Sequence, residues 1–498
     1  MKVVLVYPRY PDTFWSFKYA LKFISKKASH PPLGLLTVAA MLPKDWEKKL
    51  IDMNVTALKD KDIEGADFVF ISAMSIQKTS AKEVISKCRK MGINIVAGGP
   101  LFTAEYEEFD DVNYFVLNEA EITLPLFLED LKKGCAKHIY ASKEFPDIEK
   151  TPIPLWELIN MKKYASMNLQ YSRGCPFNCD FCDITNLFGH KVRTKSRDQM
   201  LAELESLYSR DWRGGVFFVD DNFIGNKEKL KKEILPAIIE WMETKRHPFS
   251  FFTEASINLS DDEQLMCLMV KAGFDMVFLG IETPNEESLA ECNKFQNKNR
   301  DLAACIKKIQ KSGLEVTGGF IVGFDSDPPS IFERQIEFIQ KTGIVTAMVG
   351  LLNAPRGTRL YQNLVKENRL LNNISGDNTD FSMNFIPKMN YETLINGYKK
   401  IISGIYSPKP YYERVKRFLK EYKPLQKFHF HFGYIRFHFG YLGAFLKSIW
   451  FLGIKNKARF YYWKLFFWSL FRRPRLFPLA ITYAIYGFHF RNVFKDYL

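Results

Sequence analysis

Cysteine, long apolar runs and acidic residues toward one end are all scarce in this sequence, and each scarcity excludes something. Eight cysteines in 498 residues are too few and too irregularly spaced for a disulfide scaffold. The opening, MKVVLVYPRY, places a short β-branched strand after Lys2, where a secretory leader would carry an apolar stretch and a cleavage site. A reducing cytoplasm is the expected compartment. The longest uncharged run near the end, Leu476–Phe490, holds 15 residues and contains Pro478, against the ~20 apolar residues needed to cross a bilayer. No transmembrane helix is expected. Between Tyr411 and Leu498 stand 17 Lys or Arg and three Asp or Glu. That surplus of 14 equals the formal charge of the whole chain, +14, so residues 1–410 are balanced. Basicity belongs to the end of the chain, and an anionic surface is the partner it implies.

What is present points to an α/β protein. Hydrophobic residues make up 47% of the chain, enough to bury a full core, and the length suits two or three domains of roughly 150 residues. Over residues 1–130 strand-like runs (Val3–Tyr7, Lys49–Met53, Phe68–Ser72, Ile93–Ala97, Tyr114–Leu117) alternate with helix-like segments such as Leu33–Leu42 and Ser80–Met91. Such alternation reads as an open, Rossmann-like parallel sheet, with ligands held beyond the carboxyl ends of its strands. Residues 131–165, with Lys132-Lys133-Gly134 and the proline-spaced Thr151-Pro152-Ile153-Pro154, read as a linker. A second βα series fills 166–370, with strands expected at Leu169–Ser172, Val216–Val219, Phe249–Glu254, Met276–Ile281, Val316–Val322 and Thr346–Leu351. Helices are expected at Arg197–Ser209 and Lys227–Lys245. Six βα units suit a partial (β/α)6 barrel better than a closed eight-unit one. Residues 371–498 read as a mostly helical region, and 428–498 hold 25 Phe, Tyr or Trp in 71 positions.

The chemistry concentrates in Tyr171–Thr185, YSRGCPFNCDFCDIT. Its C-x-x-x-C-x-x-C spacing puts the thiols of Cys175, Cys179 and Cys182 on one loop directly after an expected strand. Three thiolates can fill three corners of a 4Fe–4S cube and leave one iron without a protein ligand. A zinc site is the alternative; it wants a fourth ligand, and His190 is the nearest histidine. The other five cysteines, Cys88, Cys135, Cys267, Cys292 and Cys305, show no such spacing and read as buried structural thiols.

With the aromatic Phe181 before its third cysteine, the segment resembles the cluster loop of the radical S-adenosylmethionine (SAM) superfamily. That resemblance implies SAM chelating the open iron and an electron cleaving it to a 5′-deoxyadenosyl radical that abstracts hydrogen from an unactivated carbon. It also implies SAM contacts from residues at strand ends: Asp220, Asp221 and Asn222 in VDDNF, Glu254 after FSFFT, Glu282 in FLGIET, and Gly319 and Gly323 in GFIVG. Ala354-Pro355-Arg356-Gly357-Thr358 looks like the family's late loop. A lone Glu at a strand end is more often a solvated or capping residue, and paired glycines in a strand are often a packing feature. Their order behind the cysteine loop is what makes the set specific.

An open α/β domain ahead of such a core resembles the cobalamin-binding class of the superfamily. Many of its members carry Asp-x-His-x-x-Gly after an early strand; here the stretch is Asp52-Met53-Asn54-Val55-Thr56-Ala57. Asn54 stands in the position of the cobalt-ligating His, and an amide is a poor cobalt ligand. The resemblance implies a cobalamin pocket built from Asp52, Asn54, Ser72, Ser75, Gly98, Gly99 and Glu119. A degenerate domain retained for packing is the alternative.

Three accounts suit the basic aromatic end. Nucleic-acid binders interleave Arg with stacking aromatics, interfacial helices bound an apolar face with Lys and Arg, and a plain helical cap needs neither partner. Dense Leu, Ile and Phe, as in YLGAFL and KLFFW, favour membrane association from about residue 424 and make nucleic acid the weaker reading. A nucleic-acid methylthiotransferase would carry a second cluster on three early cysteines, and only Cys88 and Cys135 precede the motif. The segment from Tyr7 to Pro43 and the stretch RRPRLFPLAITYAIYGFHF resemble the hopanoid methylases and related lipid-modifying members. The resemblance implies cobalamin-dependent C-methylation of an isoprenoid- or hopanoid-type lipid, with a flavodoxin or ferredoxin as reductant, at the cytoplasmic membrane face. Radical carbon–carbon coupling or ring formation without methyl transfer is a second reading, and a non-enzymatic iron–sulfur redox module a third.

Overall fold

A computed structural model of the chain describes residues 1–371, 375–377, 379–424 and 435–495, with side chains omitted for 435–441. The first sheet holds β1 (Lys2–Tyr7), β2 (Glu47–Asp52), β3 (Phe68–Ser72), β4 (Asn94–Gly98), β5 (Tyr114–Val116) and β6 (Ile139–Tyr140). All are parallel, in the order β2-β1-β3-β4-β5-β6. A parallel sheet is covered on both faces, so its strands are apolar at successive positions. Accordingly Val4, Val6, Val69 and Ile71 enter one core and Val3, Leu5, Phe68 and Phe70 the other. Strand order reverses at β1, which opens a crevice beyond the carboxyl ends of β1 and β3. The stretch read as a linker supplies β6, the edge strand.

The second sheet comprises β7 (Met167–Leu169), β10 (Gly214–Phe218), β11 (Phe249–Ala255), β12 (Phe274–Glu282), β13 (Glu315–Val322) and β14 (Ala347–Leu351). They run parallel and in chain order, which makes an open six-stranded barrel. Between β7 and β10 a short antiparallel ribbon pairs β8 (Ser172–Arg173) with β9 (Arg193–Thr194). Along β11 every second residue is buried under the outer helices, while Ser250, Phe252 and Glu254 on the concave face keep partial access to solvent. The concave face of β11 therefore stays partly open to solvent.

The helix expected over Lys227–Lys245 is interrupted: a π-turn spans Leu230–Ile234 before the α-helix resumes at Leu235. Pro236 stands just inside the resumed helix and has no N–H for the regular ladder. Thiol burial also departs from expectation. Cys88 and Cys292 are buried, but Cys135 and Cys267 are exposed and Cys305 is half-buried. The latter two sit on helices whose inward faces are already filled, by Met266, Met269, Ile306 and Ile309 among others.

From Tyr391 onward the described residues are mostly helical, with helices at Tyr391–Tyr406, Pro408–Glu421, Ile435–Ser448, Arg459–Arg472 and Phe477–Val493. It is not an appendage. Phe490 stacks on Phe14 with ring centroids 4.4 Å apart, His489 Nε2 lies 2.9 Å from the Phe14 carbonyl, and the Tyr411 hydroxyl donates to the Tyr483 carbonyl at 2.7 Å. Part of the aromatic stretch, residues 425–434, lies outside the described residues. Among the described residues no helix is long and apolar enough to cross a membrane.

Candidate active site

The cysteine loop leaves β8 through Gly174, at φ +92°. A Cβ there would fall 2.7 Å from the Lys191 carbonyl oxygen, so only glycine lets the loop pass beneath the returning strand. The Cys175 N–H donates to the Gly189 carbonyl at 3.2 Å, and the Cys182 N–H to that of Cys179 at 3.1 Å. Asp180 anchors the far side: its N–H donates to the Cys292 carbonyl at 3.0 Å and its carboxylate accepts from Asn293 at 2.7 Å. The three cysteines remain half-buried at the mouth of the barrel. Among the described residues, no three His, Cys, Asp or Glu side chains converge to hold a single metal ion. A cube that takes one thiolate per iron requires no such convergence, and His190 is exposed.

The five polar residues expected at strand ends divide into three kinds. Asp220 is buried and structural: it accepts from the Tyr171 N–H at 3.0 Å and from the Ser172 hydroxyl at 2.5 Å, and also from the Ser172 N–H. It thereby holds the strand that launches the cysteine loop. Asn222 likewise accepts from Ser256 N–H and hydroxyl, both at 3.2 Å, and ties the end of β10 to that of β11. Glu282 sits at φ +64° on a bulge where β12 slips register against β13; a bulge re-aims the side chain it carries. Its carboxylate meets Lys294 Nζ at 2.6 Å, both largely buried.

Asp221 and Glu254 are different. Among the described residues, Asp221 Oδ2 has no hydrogen-bond partner, and Glu254 makes no hydrogen bond or ion pair. Burial, then repulsion from Asp220, pushes the Asp221 carboxyl up to about 7. Burial, then Asp221 and Asp220, pushes Glu254 up to about 8. Two crowded carboxylates with no ion-pair partner among the described residues give this end of the barrel a negative potential once they ionise. On β13, a Cβ on Gly319 would approach the Phe278 ring to 2.8 Å. Gly323, at φ +106°, donates its N–H to Asp327 at 2.8 Å. Gly319 thus leaves room for the Phe278 ring in mid-strand, and Gly323 turns the chain just past the end of β13.

At the crevice of the first sheet, Asp52 Oδ1 accepts from the Asn54 N–H and side-chain amide, both at 2.9 Å. Its other oxygen accepts from the Tyr164 hydroxyl at 3.0 Å. The Asn54 amide also donates to the Pro8 carbonyl at 3.3 Å, and its oxygen accepts from the Tyr10 N–H at 3.0 Å. Asn54 is thus spent on loop structure and offers nothing to a metal. Gly99, at φ +88°, lies so close to Ser72 that a Cβ would meet its Oγ at 2.5 Å, and a Cβ on Gly98 would meet the Val116 carbonyl oxygen at 2.5 Å. Ser75 stands half-buried beside them at the start of a short 3-10 turn. Backbone and hydroxyls therefore lie close together at the carboxyl ends of β3 and β4.

Glu119 departs from its expected place. Its carboxylate does not face the crevice but accepts from Arg173 at 2.6 Å and from Arg193 at 2.7 Å. Arg173 also pairs with Glu121 at 2.8 Å. The two sheets are therefore joined by a buried ionic network that ends two residues before Cys175. Arg173, Arg193, Lys294 and Tyr164 were not among the expected site residues. Arg173 stands inside YSRGC and could have been noticed there; nothing local marks its partners.

The fold and the site together define a class: a radical SAM barrel preceded by a cobalamin-binding-type domain. Comparison with known proteins agrees. The chain matches the family models of the B12 binding domain over residues 23–128, the radical SAM superfamily over 169–339 and a domain of unknown function over 358–498. It is 42% identical over 494 residues to an uncharacterized methyltransferase of Synechocystis sp., covering 98% of this chain and 91% of that one. It is 31% identical over 418 residues to the hopanoid C-2 methylase of Rhodopseudomonas palustris, covering 83% and 78%. The cobalamin-dependent radical enzyme OxsB, solved with aqua-cobalamin and SAM bound, shares the fold at TM-score 0.63 and 16% identity, over 100% of this chain and 79% of that one. The chain belongs to the cobalamin-binding radical SAM methyltransferase family. It is an enzyme, and its cofactors are a 4Fe–4S cluster, SAM and cobalamin.

Proposed function

We propose that this enzyme methylates an unactivated carbon of an isoprenoid- or hopanoid-type lipid. The observation that carries the reading is the concave face of the barrel. Phe217 and Phe252 stack there at 4.7 Å, and His30 lies against both rings. Burial lowers the His30 imidazole to about 4, so it is neutral at physiological pH. Trp15 reaches in from the N-terminal segment, 5.5 Å from the Phe278 ring, and its indole N–H lies 3.1 Å from Met348 Sδ. This aromatic part of the lining suits a hydrocarbon, whose transfer from water is favoured by ~25 cal/mol per Å² of buried apolar surface. The sequence likeness to a hopanoid methylase supports the same substrate class.

In this reading Cys175, Cys179 and Cys182 would hold three irons of the cluster, and Asp221 and Glu254 would take the cationic end of SAM. The Glu282–Lys294 pair would fix positive charge beside the cysteine loop, and Asp220 and Asn222 would hold the strand ends in register. Gly319 and Gly323 would leave room for the adenosine. Ser72, Ser75, Gly98 and Gly99 would line the nucleotide tail of cobalamin. Asp52 and Asn54 would shape the crevice floor without ligating cobalt, and Glu119 would brace the domains. Together the three cofactors supply reductive cleavage of SAM, hydrogen abstraction and a methyl donor. A flavodoxin or ferredoxin would deliver the electron at the half-buried loop. The test is anaerobic turnover of a hopanoid lipid with methyl-labelled SAM and reduced flavodoxin. A labelled, singly methylated lipid is expected; 5′-deoxyadenosine with a coupled or cyclised, unlabelled product would replace methylation with the second chemistry.

A membrane-surface location fits such a substrate. The C-terminal helices expose Leu442, Leu446, Trp450, Phe451, Ile454, Phe460, Phe467 and Phe471, an apolar surface of the kind that helices bury in an interface. The cytoplasmic face is the side consistent with an oxygen-sensitive cluster and free thiols.

A further inference from the structure

We propose that a basic pocket between helices Pro408–Glu421 and Arg459–Arg472 binds the phosphate of an anionic membrane lipid. The inference rests on the membrane-surface reading above and adds a specific headgroup site to it. The pocket has a volume of about 500 Å³ and is lined by Lys416, Lys420, Trp468, Arg472 and Arg473, a size that ordinary ligand sites share.

Its walls carry positive charge and no acid. The sequence from Tyr422 to Lys495 contains no Asp or Glu. Of the two acids on the first helix, Glu421 is paired with Lys307, and Glu413 makes no ion pair with the pocket cations. Lys416 Nζ lies 4.9 Å from the centre of the Trp468 ring, and the Arg473 guanidinium donates to the Lys420 carbonyl. The Lys416 ammonium is held below its ordinary value by burial first, then by repulsion from Lys420, Lys464 and Arg472. Helix-end dipoles account for Lys420 and Arg472, since cations favour C-termini. They do not account for a cavity between two such ends, nor for Lys416 a turn earlier over an indole.

The neighbourhood selects the source of the anion. On the helix that supplies Trp468 and Arg472, Phe460 is 69% exposed and Phe471 is 77% exposed, and Phe467 stacks on Phe471. Exposed aromatics beside clustered Lys and Arg are the arrangement by which a protein engages anionic lipid: rings enter the acyl boundary and cations meet the phosphates. A soluble phosphate would need the cations but not the exposed rings. Nucleic acid would want a longer basic track, whereas the cations here converge on one pocket.

The test compares full-length wild type with two charge-neutral variants, K416Q/K420Q and R472Q/R473Q, and with F460S/F471S. Binding is measured by sedimentation with vesicles of phosphatidylcholine alone and of phosphatidylcholine with phosphatidylglycerol, and by titration with glycerol phosphate and with single-stranded RNA. Wild type should prefer the anionic vesicles, and each charge variant should lose about twentyfold or more of that preference. F460S/F471S should weaken binding to both vesicle types. Anionic-vesicle binding unchanged in both charge variants would overturn the pocket while leaving the membrane reading intact. Absence of vesicle binding by wild type would overturn both. Pocket-dependent binding of glycerol phosphate without vesicles, or of RNA, would overturn the lipid as its source. SAM cleavage by each variant reports independently that the barrel is folded.

Discussion

Glu119 and Arg173, 54 residues apart in sequence, meet at 2.6 Å in a buried ion pair that joins the cobalamin-type sheet to the cysteine loop. Removing one partner of such a pair strands the other charge and costs about 3–5 kcal/mol. Glu119→Gln should therefore lower the denaturant midpoint by that equivalent, because Arg193 loses its carboxylate as well. A midpoint within error of wild type would show that the network does not brace the domains.

Glu121 belongs to the same network, and its carboxyl is displaced below the ordinary value. Burial opposes the displacement and the Arg173 guanidinium overrides it. A lowered carboxylate stabilises the fold at pH above its unfolded value and loses that contribution as pH falls through the folded one. Glu121→Gln should cost stability at neutral pH and cost less in acid, a difference that urea titrations at two pH values would measure.

Glu254 titrates in the opposite sense. Its raised value, about 8, means the folded protein binds the extra proton between about pH 4.5 and 8, so the cofactor-free protein loses stability as pH rises through that window. Glu254→Gln should remove this loss and raise the melting temperature of the cofactor-free protein at pH 8. The same substitution should weaken SAM binding by about 2 kcal/mol, roughly thirtyfold. Equilibrium dialysis with SAM and a melting curve give the two readouts; unchanged SAM affinity would remove Glu254 from the site.

Gly99 has room for no side chain. Gly99→Ala should cost about 1–3 kcal/mol from its positive φ and its clash with Ser72. Hydroxocobalamin retained after gel filtration should fall in parallel. Full retention would mean that the cofactor does not lie against Gly99.

Single substitution of Cys175, Cys179 or Cys182 by Ala should abolish the visible absorbance of the reconstituted cluster and the formation of 5′-deoxyadenosine. Cleavage that survives in any one variant would remove that cysteine from the ligand set.

Truncation after residue 424 should not yield a soluble, active enzyme. It removes the helix Phe477–Val493, which carries the buried Tyr483, His489 and Phe490 against Phe14 and Tyr406. A truncated protein that melts cooperatively at the wild-type temperature would show that this helix is dispensable.

What the sequence determined by itself was local. Three thiols within eight residues, placed after a strand, make a metal or cluster loop legible without any tertiary knowledge, because such a loop is a contiguous object. Apolar runs of five or six residues punctuated by Gly and Pro disclosed the parallel strands, because a sheet buried on both faces needs apolar side chains at successive positions. The tertiary structure decided which carboxylates remain unpaired. Asp220, Asp221 and Asn222 are neighbours in sequence, yet among the described residues Asp221 alone of the three keeps a buried carboxylate oxygen without a hydrogen bond, since Ser172 and Ser256 reach the other two from distant strands. It turned Glu119 from the crevice to Arg173, and it gathered Lys416, Lys420, Arg472 and Arg473 around one pocket. Pairings of this kind depend on which chain segments arrive side by side, and an acidic or basic residue carries no local mark of the partner that folding will bring to it.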